Sequence, residues 1–230
     1  MTLRWTEEPL RLPLRMTEAL AAFDMGRHYN GILVRLKAWR QKGDILHLSL
    51  QPSDYRTLLY SNSHLDEIKR RWGERYFSRA LGISAVVRCG GGPLLFMLRS
   101  ADVGEYPLHH DVFGGHIQAS GKSGAPPDLY TSMLQELDEE LALDGEKVNL
   151  TLLGLIENIE ICKPELVFLA DTVLSAEEVV RGSEKAIDRG EYVDLIAIKD
   201  LSAVDPGFRL SPSARGSLAL YIDLYRQISN

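Results

Sequence analysis

Residues 128–143 have the sequence Asp128-Leu-Tyr-Thr-Ser-Met-Leu-Gln-Glu-Leu-Asp-Glu-Glu-Leu-Ala-Leu143, which predicts an amphipathic helix. At about 100° per residue, Glu136, Glu139 and Glu140 fall on one helical face. The neighbouring stripe is apolar and is expected to face a core; it comprises Tyr130, Leu134, Leu137 and Leu141. Like charges at i and i+4 repel, and hard divalent cations such as Mg²⁺ prefer oxygen ligands. The face therefore indicates a metal site, with a solvated acidic face as the alternative.

The bulk composition predicts a globular protein of the cytoplasm. The 230 residues are 45% hydrophobic and 25% charged, with a formal net charge of -6. An acidic balance argues against binding nucleic acid or an anionic membrane through overall charge. The two cysteines, Cys89 and Cys162, lie in apolar segments and are expected to be reduced. We find no apolar run of about 20 residues and no signal-peptide pattern.

The segment before the helix carries the second informative motif, Phe113-Gly-Gly-His-Ile-Gln118. His116 directly follows the two glycines, so we expect it near a substrate, as a proton donor or a phosphate contact. Its alternative is a purely structural histidine. Gln118 ends the same motif and is a second candidate for substrate contact.

Together, the glycine pair and the acidic helix resemble the box of the Nudix hydrolases. Gly115 matches the box glycine, Glu136 matches the first helical glutamate, and Glu139 with Glu140 match the Glu-Glu pair. Two positions depart from the box, because Gln135 replaces its arginine and Ala142 replaces its last glycine. The strand–strand–loop–helix–strand order of residues 80–200 is similar to that of the family.

Further segments resemble a divergent branch of the family that hydrolyses UDP-glucose and UDP-galactose: residues 48–62, 114–116, 129–136 and 206–211. The resemblance implies hydrolysis of the pyrophosphate of a UDP-sugar, giving UMP and a sugar 1-phosphate, with Mg²⁺ or alternatively Mn²⁺. Two alternatives stay open. One is a Nudix hydrolase for ADP-ribose or a dinucleotide, and the other is a catalytically weak Nudix-fold protein that binds nucleotide. A homodimer is also left open.

The resemblance assigns roles to particular residues. The expected metal ligands are the Gly115 carbonyl, Glu136, Glu139 and Glu140. One carboxylate among Glu139, Glu140 and Glu165 is expected to activate water, with Glu157 and Glu160 as alternatives to Glu165 because strand register is not fixed by sequence. The predicted substrate contacts are Asp54, Asn62, His116, Gln118 and Lys122; Lys122 has a solvated loop as its alternative.

The predicted fold class is α/β: a Nudix-type α/β/α sandwich with a mixed sheet over residues 81–230, and an N-terminal α+β module over residues 1–80 that packs on it. Within this module, Ile32, Leu36 and Trp39 have helical spacing and predict a helix that ends at Lys42. Residues 45–50 alternate and predict a strand, and Ser53 or Asp54 is expected to cap a short helix.

Three other functional classes are disfavoured. A P-loop would need glycine at position 116, which is His116, and Pro126-Pro127 prevent a helix from starting at Lys122. A zinc site is disfavoured because His109 and His110 have no Cys or His partner at ligand spacing. A serine hydrolase is unsupported because the chain has no Gly-x-Ser-x-Gly elbow.

Overall fold

A computed structural model describes residues 1–26, 28–119, 127–201 and 207–229, with the backbone alone for 225–229. Two compact units divide the chain. Unit 1 comprises residues 1–82, 116–128 and 157–164, and unit 2 comprises residues 83–115, 129–156 and 165–230. Ten strands and six α-helices in the described residues confirm the mixed α/β fold class. The boundary at residue 80 between two domains stays a prediction.

Unit 1 contains a three-stranded sheet in the order β1-β3-β2, with β1 parallel and β2 antiparallel to β3. The strands are β1 (Thr2–Trp5), β2 (Ile32–Lys42) and β3 (Ile45–Asp54). The prediction of a helix that ends at Lys42 is therefore wrong, because this segment is strand β2. The predicted strand at residues 45–50 is confirmed and lies within β3. Gly43 has a φ of 57° in the two-residue turn after Lys42, so β2 folds back on β3 as a hairpin, and this pairing overrides the helical spacing.

The helices of unit 1 are α1 (Leu14–Ala22), α2 (Tyr55–Ser63) and α3 (Leu65–Arg71). Asp54 caps α2, as expected, because its Oδ1 accepts a hydrogen bond from Thr57 N at 2.7 Å. Gly73, with a φ of 92°, follows α3 closely and separates it from a 3₁₀ turn at Glu74–Tyr76. A small core of unit 1 contains Met16, Tyr60, Ile68 and Phe77.

Unit 2 is built on a sheet in the order β10-β5-β4-β9-β8, with β6 beside β5 and β7 beside β4. The strands are β4 (Gly82–Arg88), β5 (Leu94–Arg99), β6 (His110–Asp111), β7 (Phe113–His116), β8 (Val148–Asn158), β9 (Lys163–Thr172) and β10 (Tyr192–Ile198). Gly91 and Gly92 have φ values of 89° and 102° in the turn between β4 and β5. This turn joins two antiparallel strands.

The helices of unit 2 are α4 (Leu129–Leu141), α5 (Ala176–Ser183) and α6 (Pro212–Ser229). Leu129, Met133, Leu137 and Leu141 form the buried stripe of α4. This corrects the predicted stripe, because Tyr130 is 40% exposed and its ring meets Phe168 edge-on. No helix in the described ranges is long and apolar enough to span a bilayer.

Candidate active site

Gly114 brings the backbone of β7 against both β4 and α4. Its φ is 149°, and a Cβ at this position would lie 2.0 Å from the carbonyl oxygen of Ile83 on β4. The backbone N–H of Gly114 donates a hydrogen bond of 2.8 Å to Oε2 of Glu140. Only glycine permits this approach, so the first glycine of the pair fixes the position of one helical carboxylate.

Gly115 lies directly against the carboxylate of Glu136. A Cβ on Gly115 would meet both carboxylate oxygens of Glu136 at 2.6 Å, a contact that real side chains do not make. The glycine therefore leaves room for the carboxylate. The structure thus brings Gly115 and Glu136 together, as the resemblance implied.

Gln135, which replaces the arginine of the family box, contacts Glu139. Its Nε2 donates a hydrogen bond of 2.7 Å to Oε1 of Glu139, one helical turn away. A neutral amide orients this carboxylate but adds no positive charge to the helix face. The charge of the glutamates must therefore be balanced from elsewhere.

Burial and repulsion by neighbouring carboxylates raise the pKa values of Glu136 and Glu140. Burial raises the pKa of Glu136 to about 7, assisted by the negative charges of Glu139, Glu191 and Asp188. The pKa of Glu140, which is 2% exposed, is raised well above its usual range by burial and by Glu136. These carboxyl groups share one helical face and are costly to ionise, so a bound cation would stabilise their charged form.

Asp188 and Glu191 belong to the same acidic cluster, although the sequence analysis did not select them. The N–H of Asp188 donates a hydrogen bond of 2.9 Å to the carbonyl oxygen of Glu139. Burial raises the pKa of both Asp188 and Glu191, and Glu139 raises each further. The available signal was the polar turn Asp188-Arg-Gly-Glu191 immediately before a predicted strand.

The donor set suits a hard cation, although the carboxylates do not yet converge as ligands. In the parts of the chain that the structure describes, no three His, Cys, Asp or Glu side chains have metal-ligating geometry. The three glutamates of α4 instead turn to different partners: Gly115, Gln135 and the N–H of Gly114. Their oxygen donors and weakly compensated charge nevertheless fit Mg²⁺ chemically. Binding would require Glu139 to exchange its bond with Gln135 for the ion.

Glu165, at the start of β9, lies in a second buried acidic group of unit 2. The Ser213 hydroxyl donates a hydrogen bond of 2.7 Å to Oε2 of Glu165, which is 4% exposed. Burial raises the pKa of Asp111 on β6 to about 6, and the negative charge of Glu165 raises it further. The charge of Arg99 and the hydrogen bond from Ser211 partly offset this rise. Glu165 is therefore a buried acid whose carboxylate is hydrogen-bonded to α6.

The two alternatives to Glu165 have other environments. Glu157 forms an ion pair of 2.7 Å with Arg79, so the negative charge of Glu157 is already balanced. Glu160 is exposed, and its backbone N–H bonds to the side chain of Asn158.

The predicted substrate contacts fall in unit 1 where they are described. Asp54 caps α2, Asn62 lies in the same helix, and His116 is half-buried at the end of β7. Gln118 is exposed, and its backbone pairs with Leu33. Lys122 lies outside the described residues. The substrate roles of all five residues stay predictions.

No family model matches the chain. Two similar proteins of the same name are found by sequence. The uridine diphosphate glucose pyrophosphatase NUDT22 of Mus musculus is 28% identical over 206 residues, which cover 77% of this chain and 66% of the mouse protein. The protein of the same name from Homo sapiens is also 28% identical, over 78% of this chain and 69% of its own length. These two relatives support the resemblance to a divergent branch of the Nudix hydrolases. The chain spans about two thirds of their length.

Solved structures of Nudix proteins align with about two thirds of the chain. The MutT protein from Methanosarcina mazei Go1 is 15% identical and covers 66% of this chain and 96% of its own, with a TM-score of 0.48. The NUDIX domain of Shewanella oneidensis NrtR, in a cocrystal structure with ADP ribose, is 14% identical over 70% of this chain and 97% of its own, with a TM-score of 0.45.

Proposed function

We propose that this chain is a metal-dependent pyrophosphohydrolase of nucleoside diphosphate sugars. Its leading substrate is a UDP-hexose, which it would cleave to UMP and a sugar 1-phosphate. The acidic face of α4 against Gly114 and Gly115 is the observation that carries the proposal. The name of the two relatives, uridine diphosphate glucose pyrophosphatase, supports the choice of substrate.

The oxygen donors for a divalent ion would be Glu136, Glu139, Glu140 and the carbonyl of Gly115. Mg²⁺ is the leading ion and Mn²⁺ the alternative. A bound ion of this kind supplies positive charge to the diphosphate and acidifies a neighbouring water. The chain's own part is to hold these oxygens in place, which the N–H of Gly114 does for Oε2 of Glu140.

A carboxylate must also accept the proton of the attacking water. Glu139, Glu140 and Glu165 remain the candidates. Glu139 is the most accessible of the three, since Glu140 and Glu165 are 2% and 4% exposed. A raised pKa suits a group that takes a proton near neutral pH, and burial raises the pKa of Glu140 in this way.

The test is hydrolysis of UDP-glucose, UDP-galactose, ADP-ribose and a dinucleotide, with and without Mg²⁺, with products separated by ion-exchange chromatography. We expect UMP and hexose 1-phosphate from the UDP-sugars, and no product after chelation. Glu140→Gln should abolish turnover, whereas Asp138→Asn, at an exposed position of the same helix, should not. If another nucleotide is the best substrate, the UDP-sugar assignment is wrong.

A protein that only binds nucleotide is the second candidate, since Gln135 adds no charge to the acidic face. Calorimetry separates it from an enzyme. Saturable binding of a UDP-sugar, without Mg²⁺-dependent turnover of any substrate in the panel, would refute the hydrolase. Location and oligomeric state stay predictions from the sequence.

A further inference from the structure

Arg99, the last residue of β5, holds its guanidinium group beside Asp111. Its Nε donates a hydrogen bond of 3.0 Å to the carbonyl oxygen of Glu105, and its Nη1 lies 3.4 Å from Oδ2 of Asp111. The side chain is 16% exposed. These two contacts restrict the guanidinium to one place, and burial protects its charge from screening by solvent.

The backbone around Arg99 joins the elements that carry the cluster. The N–H of Ser100 donates a hydrogen bond of 2.9 Å to the carbonyl oxygen of Glu191. Arg99 is paired in register with Tyr192 of β10, and the Tyr192 hydroxyl donates a hydrogen bond of 2.9 Å to the carbonyl oxygen of Glu140. Arg99 therefore stands where β5, the Glu191 turn and the last turn of α4 meet.

The charge of Arg99 acts on three carboxyl groups from three different elements. It lowers the pKa values of Asp111, Glu140 and Glu191, although burial is the larger effect and raises all three. The neighbouring Arg189 is used differently, because it stacks over the ring of Tyr192 and donates a hydrogen bond to the Tyr192 carbonyl.

We propose that Arg99 is the positioning residue of this acidic site and supplies, from β5, the positive charge that Gln135 does not supply from α4. The proposal rests on the proposed hydrolase function. Arg99 keeps Asp111 paired and offsets the repulsion among the buried carboxylates, so that Glu140 stays on the N–H of Gly114. It acts through these carboxylates and not by touching the diphosphate.

Steady-state kinetics of Arg99→Met and Arg99→Lys separate positioning from substrate contact. We expect Arg99→Met to lower kcat by about tenfold or more while KM changes less than about threefold, because ground-state binding is retained. Arg99→Lys keeps the charge and should recover most of kcat. Arg88→Met is the matched control, since Arg88 forms a comparable ion pair with Asp171 on neighbouring strands, and it should leave kcat within about twofold. An unchanged kcat in Arg99→Met, or a raised KM with kcat retained, would overturn the proposal.

A second measurement requires no turnover. Thermal unfolding of metal-free wild type, Arg99→Met, Glu191→Gln and the double variant forms a cycle. We expect Arg99→Met to lower Tm markedly less in the Glu191→Gln background than in wild type. Additive Tm changes would overturn the charge coupling on which the proposal rests. If wild type hydrolyses none of the nucleotides, the proposed function fails, and this cycle still decides whether Arg99 compensates the cluster.

Discussion

Replacing Glu136 by glutamine should stabilise the metal-free protein at alkaline pH. In the folded chain the pKa of Glu136 is raised from 4.5 to about 7, first by burial and then by its acidic neighbours. A carboxyl with a raised folded-state pKa contributes stability below its unfolded pKa and loses it as pH rises through the folded pKa. The loss therefore falls between pH 4.5 and about pH 7.

The size of the effect follows from the two pKa values. At about 1.4 kcal/mol for each pH unit, the rise from 4.5 to about 7 means that ionising Glu136 costs the fold at most about 3.5 kcal/mol above pH 7. Glutamine has the same shape and cannot ionise, so Glu136→Gln should gain up to this amount at pH 8 and almost nothing at pH 4. For a chain of this length the full gain corresponds to a rise in Tm of roughly 7–14 °C.

Urea denaturation in the presence of a chelator, at pH 4, 6 and 8, measures the difference in the free energy of unfolding. Asp138→Asn is the control, because Asp138 is exposed on the same helix, about 200° round from Glu136. Added Mg²⁺ should stabilise wild type at pH 8 more than the Glu136→Gln variant. A variant that is less stable than wild type at pH 8, or a difference that does not change with pH, would refute the reasoning.

Three further substitutions test the local structure around the site. Gly114→Ala forces a Cβ against the carbonyl of Ile83 and should cost about 2–4 kcal/mol in urea denaturation; wild-type stability would contradict the close approach. Ala142→Gly should raise Tm by about 1–4 °C, because Ala142 has a φ of 50° after α4, and calorimetry showing a lower Tm would disprove this. Ser175→Ala removes the cap of α5 and should lower stability by about 1 kcal/mol with unchanged turnover, whereas an unchanged Tm would argue against the cap.

The acidic face of α4 and its glycine pair could be predicted because both follow from local spacing. Helical periodicity placed Glu136, Glu139 and Glu140 together without any knowledge of the tertiary fold. The departure from the box at Ala142 could also be read from the sequence, and in the structure this residue has the positive φ that glycine adopts more easily. The capping box formed by Ser175 and Glu178 is a third feature that follows from local spacing.

Features set by pairing between distant segments could not be predicted. The spacing of Ile32, Leu36 and Trp39 suits a helix, but the hairpin of β2 with β3 makes this segment a strand. Glu191 and Arg99 gain their place only when β10 pairs with β5, and one sequence does not fix that register. The charge balance of the site depends on this pairing, so it was visible only in the fold.

Diffraction from crystals soaked in Mn²⁺ with a non-hydrolysable UDP-sugar tests the central claim most directly. We expect an anomalous peak ligated by carboxylate oxygens of Glu136 and Glu140, with Glu139 turned away from Gln135 and the diphosphate beside the metal. A peak elsewhere, or ordered nucleotide with no metal on this face of α4, would contradict it.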